Sequence, residues 1–253
     1  MLRTISWTST LGLAVAACAS ATPGARPHDM SAAQHEREGQ SHASTAEAHA
    51  GQYEPNATVE RTRCSPRGGQ RGADVGANAC WTSTSNPTAD HLRAAEEHRR
   101  HAADHRAASA ALRDAEERAC IGISPDDRDM SPFDHVEDIA SVEPLTERGG
   151  PSKAFSQRKA GAVVTFRAVP GMTAEWLQRV VDCHLARNAS LGHAVPEMPN
   201  CPLVPNGVQA RVTSTGNGFA VAIRAYDGAT AREILARAER LRPRPVSSTA
   251  PTR

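Results

Sequence analysis

Eight of the eleven histidines in this 253-residue chain lie before residue 106, and their spacing places them on shared helix faces. In the stretch Asp90 to Cys120, DHLRAAEEHRRHAADHRAASAALRDAEERAC, they stand at 91, 98, 101 and 105. At 3.6 residues per turn these four fall within roughly 80° of one another. Imidazoles three or four residues apart can share one ion, whereas two that are seven apart are separated by about 10 Å along the axis. His98, His101 and His105 are therefore the candidate ligands within one helix, with Glu97, four residues before His101, as a further oxygen donor. Imidazole-rich sites suit Zn, Cu or Ni. A competing reading makes these side chains the semi-polar filling of a narrow seam. His91, His98, His105, Leu112 and Ala119 share one heptad position in that seam, and Ala94, His101, Ala108 and Ala115 share the other.

A second stripe precedes the first. The segments HDMSAAQ, HEREGQS, HASTAEA and HAGQYEP repeat with a period of seven, so His28, His35, His42 and His49 drift by only about 20° per heptad on a straight helix. Three residues after each histidine come Ser31, Glu38, Thr45 and Gln52, which supply no apolar seam, and Gly39 weakens the helix further. Such a helix needs a partner. An antiparallel hairpin with residues 90 to 120 sets one imidazole stripe against the other, and His35, His42 or His49 could then complete a site across the interface.

Met1 to Ala17 carries Arg3 and the apolar run LGLAVAA, the parts of an export signal too short to span a bilayer. The run ends in Val15-Ala16-Ala17-Cys18, which resembles the bacterial lipobox. That resemblance implies lipid attachment at Cys18, removal of residues 1 to 17, and acylation of the new amino terminus. Together these lipids exceed the two signals needed for stable anchoring. Ala19 in place of an aspartate implies the outer membrane. The alternative is cleavage after Ala19-Ser20-Ala21, giving a soluble secreted or periplasmic protein. Taken whole, the chain resembles the His- and Ala-rich lipoproteins of bacterial envelopes. This implies membrane contact through the lipid and leaves room for an envelope protein partner.

Export would place the remaining five cysteines where disulfides persist. Cys64 and Cys80 bracket the Gly-rich loop SPRGGQRGADVGANA, and a bridge there closes it, worth about 3 kcal/mol in the chain-entropy model. Cys183 and Cys201 flank the stretch GHAVPEMPN and form the second expected pair, leaving Cys120 as the free-thiol candidate. No CxxC occurs, which weighs against thioredoxin-like redox chemistry and zinc ribbons.

The expected architecture is α+β: a His/Ala-rich helical hairpin followed by a small βαββα domain. The expected boundaries are a signal at 1–17, a lipidated tether at 18–27, the hairpin with its bridged loop at 28–122, a turn-rich linker at 123–159, the βαββα domain at 160–242, and a disordered tail at 243–253. Trp81 is the one large apolar anchor expected in the irregular connection between the two helices. In the second half, Ala162 to Val169 reads as a strand and Thr173 as the N-cap of a helix reaching Leu191. Val208 to Ser214 and Phe219 to Ala225 read as a hairpin, and Asp227 opens the last helix. Pro170-Gly171-Met172-Thr173 resembles the entry loop of a heavy-metal-associated domain. The two ligand cysteines of that family fall here on Ala174 and Leu177, so the resemblance implies a fold and no metal role.

Composition narrows the function classes. A formal net charge of +1 gives no electrostatic footprint for nucleic acid. With 39% apolar but only 4% aromatic residues, there is little material for one large core. GxSxG, HExxH, P-loop and GxGxxG motifs are absent, so the chain is read as a non-enzyme. The acidic turn of Asp126, Asp127, Asp129, Asp134 and His135 could suit a hard cation such as calcium, although it lacks EF-hand spacing and contains Arg128.

Overall fold

A computed structural model describes residues 30–65, 79–149 and 156–242. Cys18 and the rest of the export segment, His28 and the C-terminal tail lie outside the described residues. Among the described residues the fold is mixed α+β, with five α-helices and two antiparallel sheets.

The first helix, α1 (Ala32–Gly51), starts at a reciprocal capping box: Ser31 accepts from the Gln34 backbone, and Gln34 accepts from the Ser31 backbone. It lies antiparallel to α2 (Ala89–Ala119), a helix of 31 residues that ends at Cys120 and turns at Gly122, whose φ of 72° only glycine adopts without strain. The face that α1 buries consists of Ala32, His35, Gly39 and Ala46, against Ala95, Ala102, His105, Ser109 and Leu112 of α2. The small residues Ala32, Gly39 and Ala46 thus stand four positions after His28, His35 and His42, not three. Gly39 marks the closest approach. A Cβ there would lie 3.3 Å from the Ala102 carbonyl oxygen and 3.5 Å from the His105 Cβ. Farther along, Ser109 Oγ donates to the Ala32 carbonyl at 2.9 Å, so a buried hydroxyl is satisfied across the interface.

The helices are joined through β1 (Val59–Ser65) and β2 (Ala79–Ser85), a two-stranded antiparallel ribbon in which Cys64 pairs with Cys80 and is bonded to it. Both faces of the ribbon meet solvent, so Trp81 is 52% exposed and does not anchor a core as the sequence suggested. At the ribbon's base the two helix ends are clamped. The Glu54 backbone donates to Thr88 Oγ1 at 3.0 Å, and Asn86 Nδ2 donates to the Glu54 carbonyl at 2.7 Å.

The stretch read as a linker is structured. Ser124 caps the short helix α3 (Pro125–Asp129), a 3-10 turn follows at Val136–Asp138, and β3 (Ile139–Gly149) forms an edge strand. Pro144 disguised that strand, because proline reads as a strand breaker although an edge tolerates it. Next come β4 (Ser156–Arg167), α4 (Ala174–Ser190), β5 (Gln209–Thr215), β6 (Gly218–Arg224) and α5 (Gly228–Glu239). The sheet order is β3-β4-β6-β5, antiparallel throughout. Strands β4 and β5 run parallel through the α4 crossover with β6 between them, a split β-α-β. The outer edge is filled by β3 from the N-terminal side, so this part is ββαββα instead of βαββα.

Period-2 alternation on β4 buries Ala162, Val164 and Phe166, and on β6 it buries Val221 and Ile223. Leu177 and Val181 of α4 and Ile234, Leu235 and Ala238 of α5 complete that layer. Phe133, from the supposed linker, stacks on Phe166 with ring centroids 5.7 Å apart. Thr173 and Asp227 cap α4 and α5 through their side chains, as the sequence indicated.

The second disulfide corrects the expected pairing. Cys183 is bonded to Cys120, not Cys201, and ties the end of α2 to the middle of α4. Cys120 is therefore not a free thiol; among the described residues the free cysteine is Cys201, buried in the core. Sequence proximity favoured the 183–201 pair, but α4 turns Cys183 toward the C-terminal end of α2. The same junction carries an ion pair of Arg187 with Glu116 at 3.1 Å, and a small apolar contact of Leu112 with Ala32 and Ala189.

Candidate metal centre

The two histidine stripes meet in register. His35 Nδ1 faces His105 Nδ1 at 2.9 Å, His42 Nδ1 faces His98 Nδ1 at 2.9 Å, and His49 Nδ1 faces His91 Nδ1 at 3.3 Å. A seven-residue period on both antiparallel helices produces this, because each heptad step on α1 is matched by one in the opposite sense on α2. The layers also touch. His42 stacks on His105 with centroids 5.5 Å apart and planes at 18°, and His49 stacks on His98 at 5.6 Å and 11°. Six imidazoles thus form one zigzag column down the interface.

Each pair has a defined proton requirement. Two Nδ1 atoms at hydrogen-bond distance need one N–H and one lone pair, so a neutral pair combines the two tautomers. A pair can also hold one positive charge. A second proton would set two N–H groups face to face. Burial, with His101 and His98 nearby, holds the His42 imidazole below its ordinary pKa. Burial followed by His35 and His42 does the same for His105. Both are therefore kept neutral, the form in which imidazole binds metal.

Depth divides the layers. His35 and His105 are buried, whereas His42, His98, His101, His49 and His91 are half-buried and reachable from solvent. His101, one turn beyond His98 on α2, brings its ring to 5.1 Å from that of His42. In consequence His42, His98 and His101 offer three nitrogens all within 4.8 Å of one another. Of the within-helix triad suggested by the sequence, the structure brings His98 and His101 together. His105 instead belongs to the buried layer with His35. The third nitrogen comes from His42 across the interface. His35 and His49 do not join that group, and Glu97 is exposed outside it.

The acidic turn does not gather into a cation site. Asp127 is held by the Ser124 cap, and Asp129 pairs with Arg128 at 3.0 Å and with Arg187 at 3.0 Å. His135, Glu137 and Asp138 lie near one another at the surface. His184 is fully buried with Nε2 at 2.8 Å from the Asp127 carbonyl oxygen, while its Nδ1 has no hydrogen-bond partner. Burial is the main reason that imidazole, too, is held below its ordinary pKa. Met172 packs half-buried against the sheet core.

No described helix is long and apolar enough to cross a membrane. Comparison of the chain with protein-family models, with curated proteins and with solved structures gave no match.

Proposed function

We propose that this chain is an exported, lipid-anchored protein of the bacterial outer membrane, facing the periplasm or cell surface. Its helical hairpin, followed by the smaller α+β body, binds or buffers transition-metal ions of the Zn, Cu or Ni kind through His42, His98 and His101. The observation that carries the metal reading is the convergence of three half-buried imidazole nitrogens from two helices within 4.8 Å. Three nitrogens with an open side match the ligand number that leaves one coordination position for water or an exchanging ligand, as a buffer requires. The site is non-catalytic in this reading. The Val15-Ala16-Ala17-Cys18 motif supports the anchor, with Cys18 as the lipidated residue.

Calorimetric titration of Zn²⁺ and Cu²⁺ into the full chain, beside a His98→Ala/His101→Ala variant, tests the metal. A step of micromolar or tighter affinity, the tightest in the wild type, is expected to be lost in the variant. Equal weak binding in both would refute it. For the anchor, Cys18→Ser should move the protein from the detergent phase to the aqueous phase on cloud-point partitioning. Unchanged partitioning would refute lipidation at that residue.

The alternative is a non-catalytic interaction lipoprotein whose histidines only pack the helix pair. It is favoured by the imidazoles' mutual hydrogen bonds and by the Ala/Gly seam. Ala108 and Leu112 are buried, so charging them would test folding and not docking. The discriminating substitutions belong on the outer face of α2, at exposed Ala103 and Ala107.

A further inference from the structure

The same register that builds the three-histidine centre repeats one heptad toward the ribbon, where His49 and His91 face each other. We propose that this pair is a second transition-metal position, so that the hairpin takes two ions in a row. This rests on the reading that the hairpin binds such ions at all.

Two ligand nitrogens at about 2.0–2.1 Å from a tetrahedral ion lie about 3.3 Å apart. His49 and His91 place their Nδ1 atoms at 3.3 Å, longer than the 2.9 Å of the other two layers. An ion can therefore enter between these two without the helices separating: the ring with its proton on Nδ1 gives it up to solvent and takes one on Nε2, as the other ring already has, so that both Nδ1 lone pairs face the ion. Both rings are half-buried, so water can supply the remaining ligands. The pair is also held in place. The Glu54 contacts to Asn86 and Thr88 clamp the helix ends beside it, and His49 rests on His98. The buried His35–His105 layer differs in access: both rings are shut away from solvent.

The two positions lie about 10 Å apart, one heptad along the axis. Two dications at that separation repel even through water, and the second ion binds roughly tenfold more weakly than the first.

Zn²⁺ titrated into the full chain, followed by calorimetry, should show two steps. In a His49→Gln/His91→Gln variant, with helix content checked by circular dichroism, only the tighter step should remain, with its affinity within about threefold of wild type. A single step in the wild type overturns the second position and leaves the first standing. Two steps surviving in the glutamine variant overturn it as well. Absence of any step in the wild type overturns both readings.

Discussion

Gly39 is where the hairpin is most sensitive to one added carbon, and two substitutions there make opposite predictions. In isolation, Gly→Ala in a helix interior gains about 0.8–1.0 kcal/mol. At Gly39 the new methyl would sit 3.3 Å from the Ala102 carbonyl oxygen, so the two helices must give by a few tenths of an ångström. Gly39→Ala should therefore change stability by between zero and about 1 kcal/mol in the favourable direction. Gly39→Leu adds three further carbons at the same point, against backbone and the His105 Cβ at 3.5 Å. Overpacking of this kind costs about 1–3 kcal/mol, more than the helix gain returns. It also has a functional reading. Spreading the helices at Gly39 separates His42 from His98, three residues away on the same face, and Zn²⁺ affinity should fall with stability. Urea unfolding and calorimetry on the two variants separate these outcomes. If the leucine variant is as stable as the alanine variant and binds Zn²⁺ as tightly as wild type, the helices do not meet at Gly39 and the column of imidazoles is wrongly placed.

Two further predictions concern acid and reduction. Folding holds the His42 and His105 pKa values below their ordinary value near 6.5, so the unfolded chain binds more protons as pH falls past that value. Hairpin stability should be complete above about pH 6.5 and decline as pH falls toward the depressed folded values, with metal released over the same range. Thermal melts at several pH values between neutral and acidic would show it, and a midpoint that does not fall on acidification would contradict the paired arrangement. The Cys120–Cys183 bridge closes a loop of 63 residues against 16 for Cys64–Cys80, so in the chain-entropy model its loss costs about 4 kcal/mol against about 3. Cys120→Ser should therefore destabilise more than Cys64→Ser. Non-reducing peptide mapping should find Cys120 linked to Cys183 and Cys201 alkylated only after unfolding; a Cys183–Cys201 peptide would refute the connectivity.

What the sequence made legible here follows from which signals are local. Caps are local, and Thr173 and Asp227 were readable one residue type at a time. Period-2 burial on β4 and β6 was readable for the same reason. The edge strand β3 was not, because Pro144 and a register shift between Leu145 and Thr146 break its alternation, and pairing with β4 is what makes it a strand. The disulfide was misread because proximity in sequence was allowed to stand for proximity in space, whereas α4 is what carries Cys183 back to α2.

The histidine column is the instructive case. A heptad seam alternates steps of three and four, and counting three from each histidine of α1 finds Ser31, Glu38, Thr45 and Gln52. Counting four finds Ala32, Gly39, Ala46 and Tyr53, and on α2 the same step finds Ala95, Ala102 and Ser109. The small residues were visible, and they decide the chemistry. Only a seam of Ala, Gly and Ser brings two helix backbones close enough for imidazoles at the alternate positions to meet nitrogen to nitrogen. Larger residues at those positions would hold the helices apart. The alanine content that first suggested a poor core is therefore what puts His42 within reach of His98 and His101. The ligand set crosses the interface for that reason, and no inspection of one helix by itself could have assembled it.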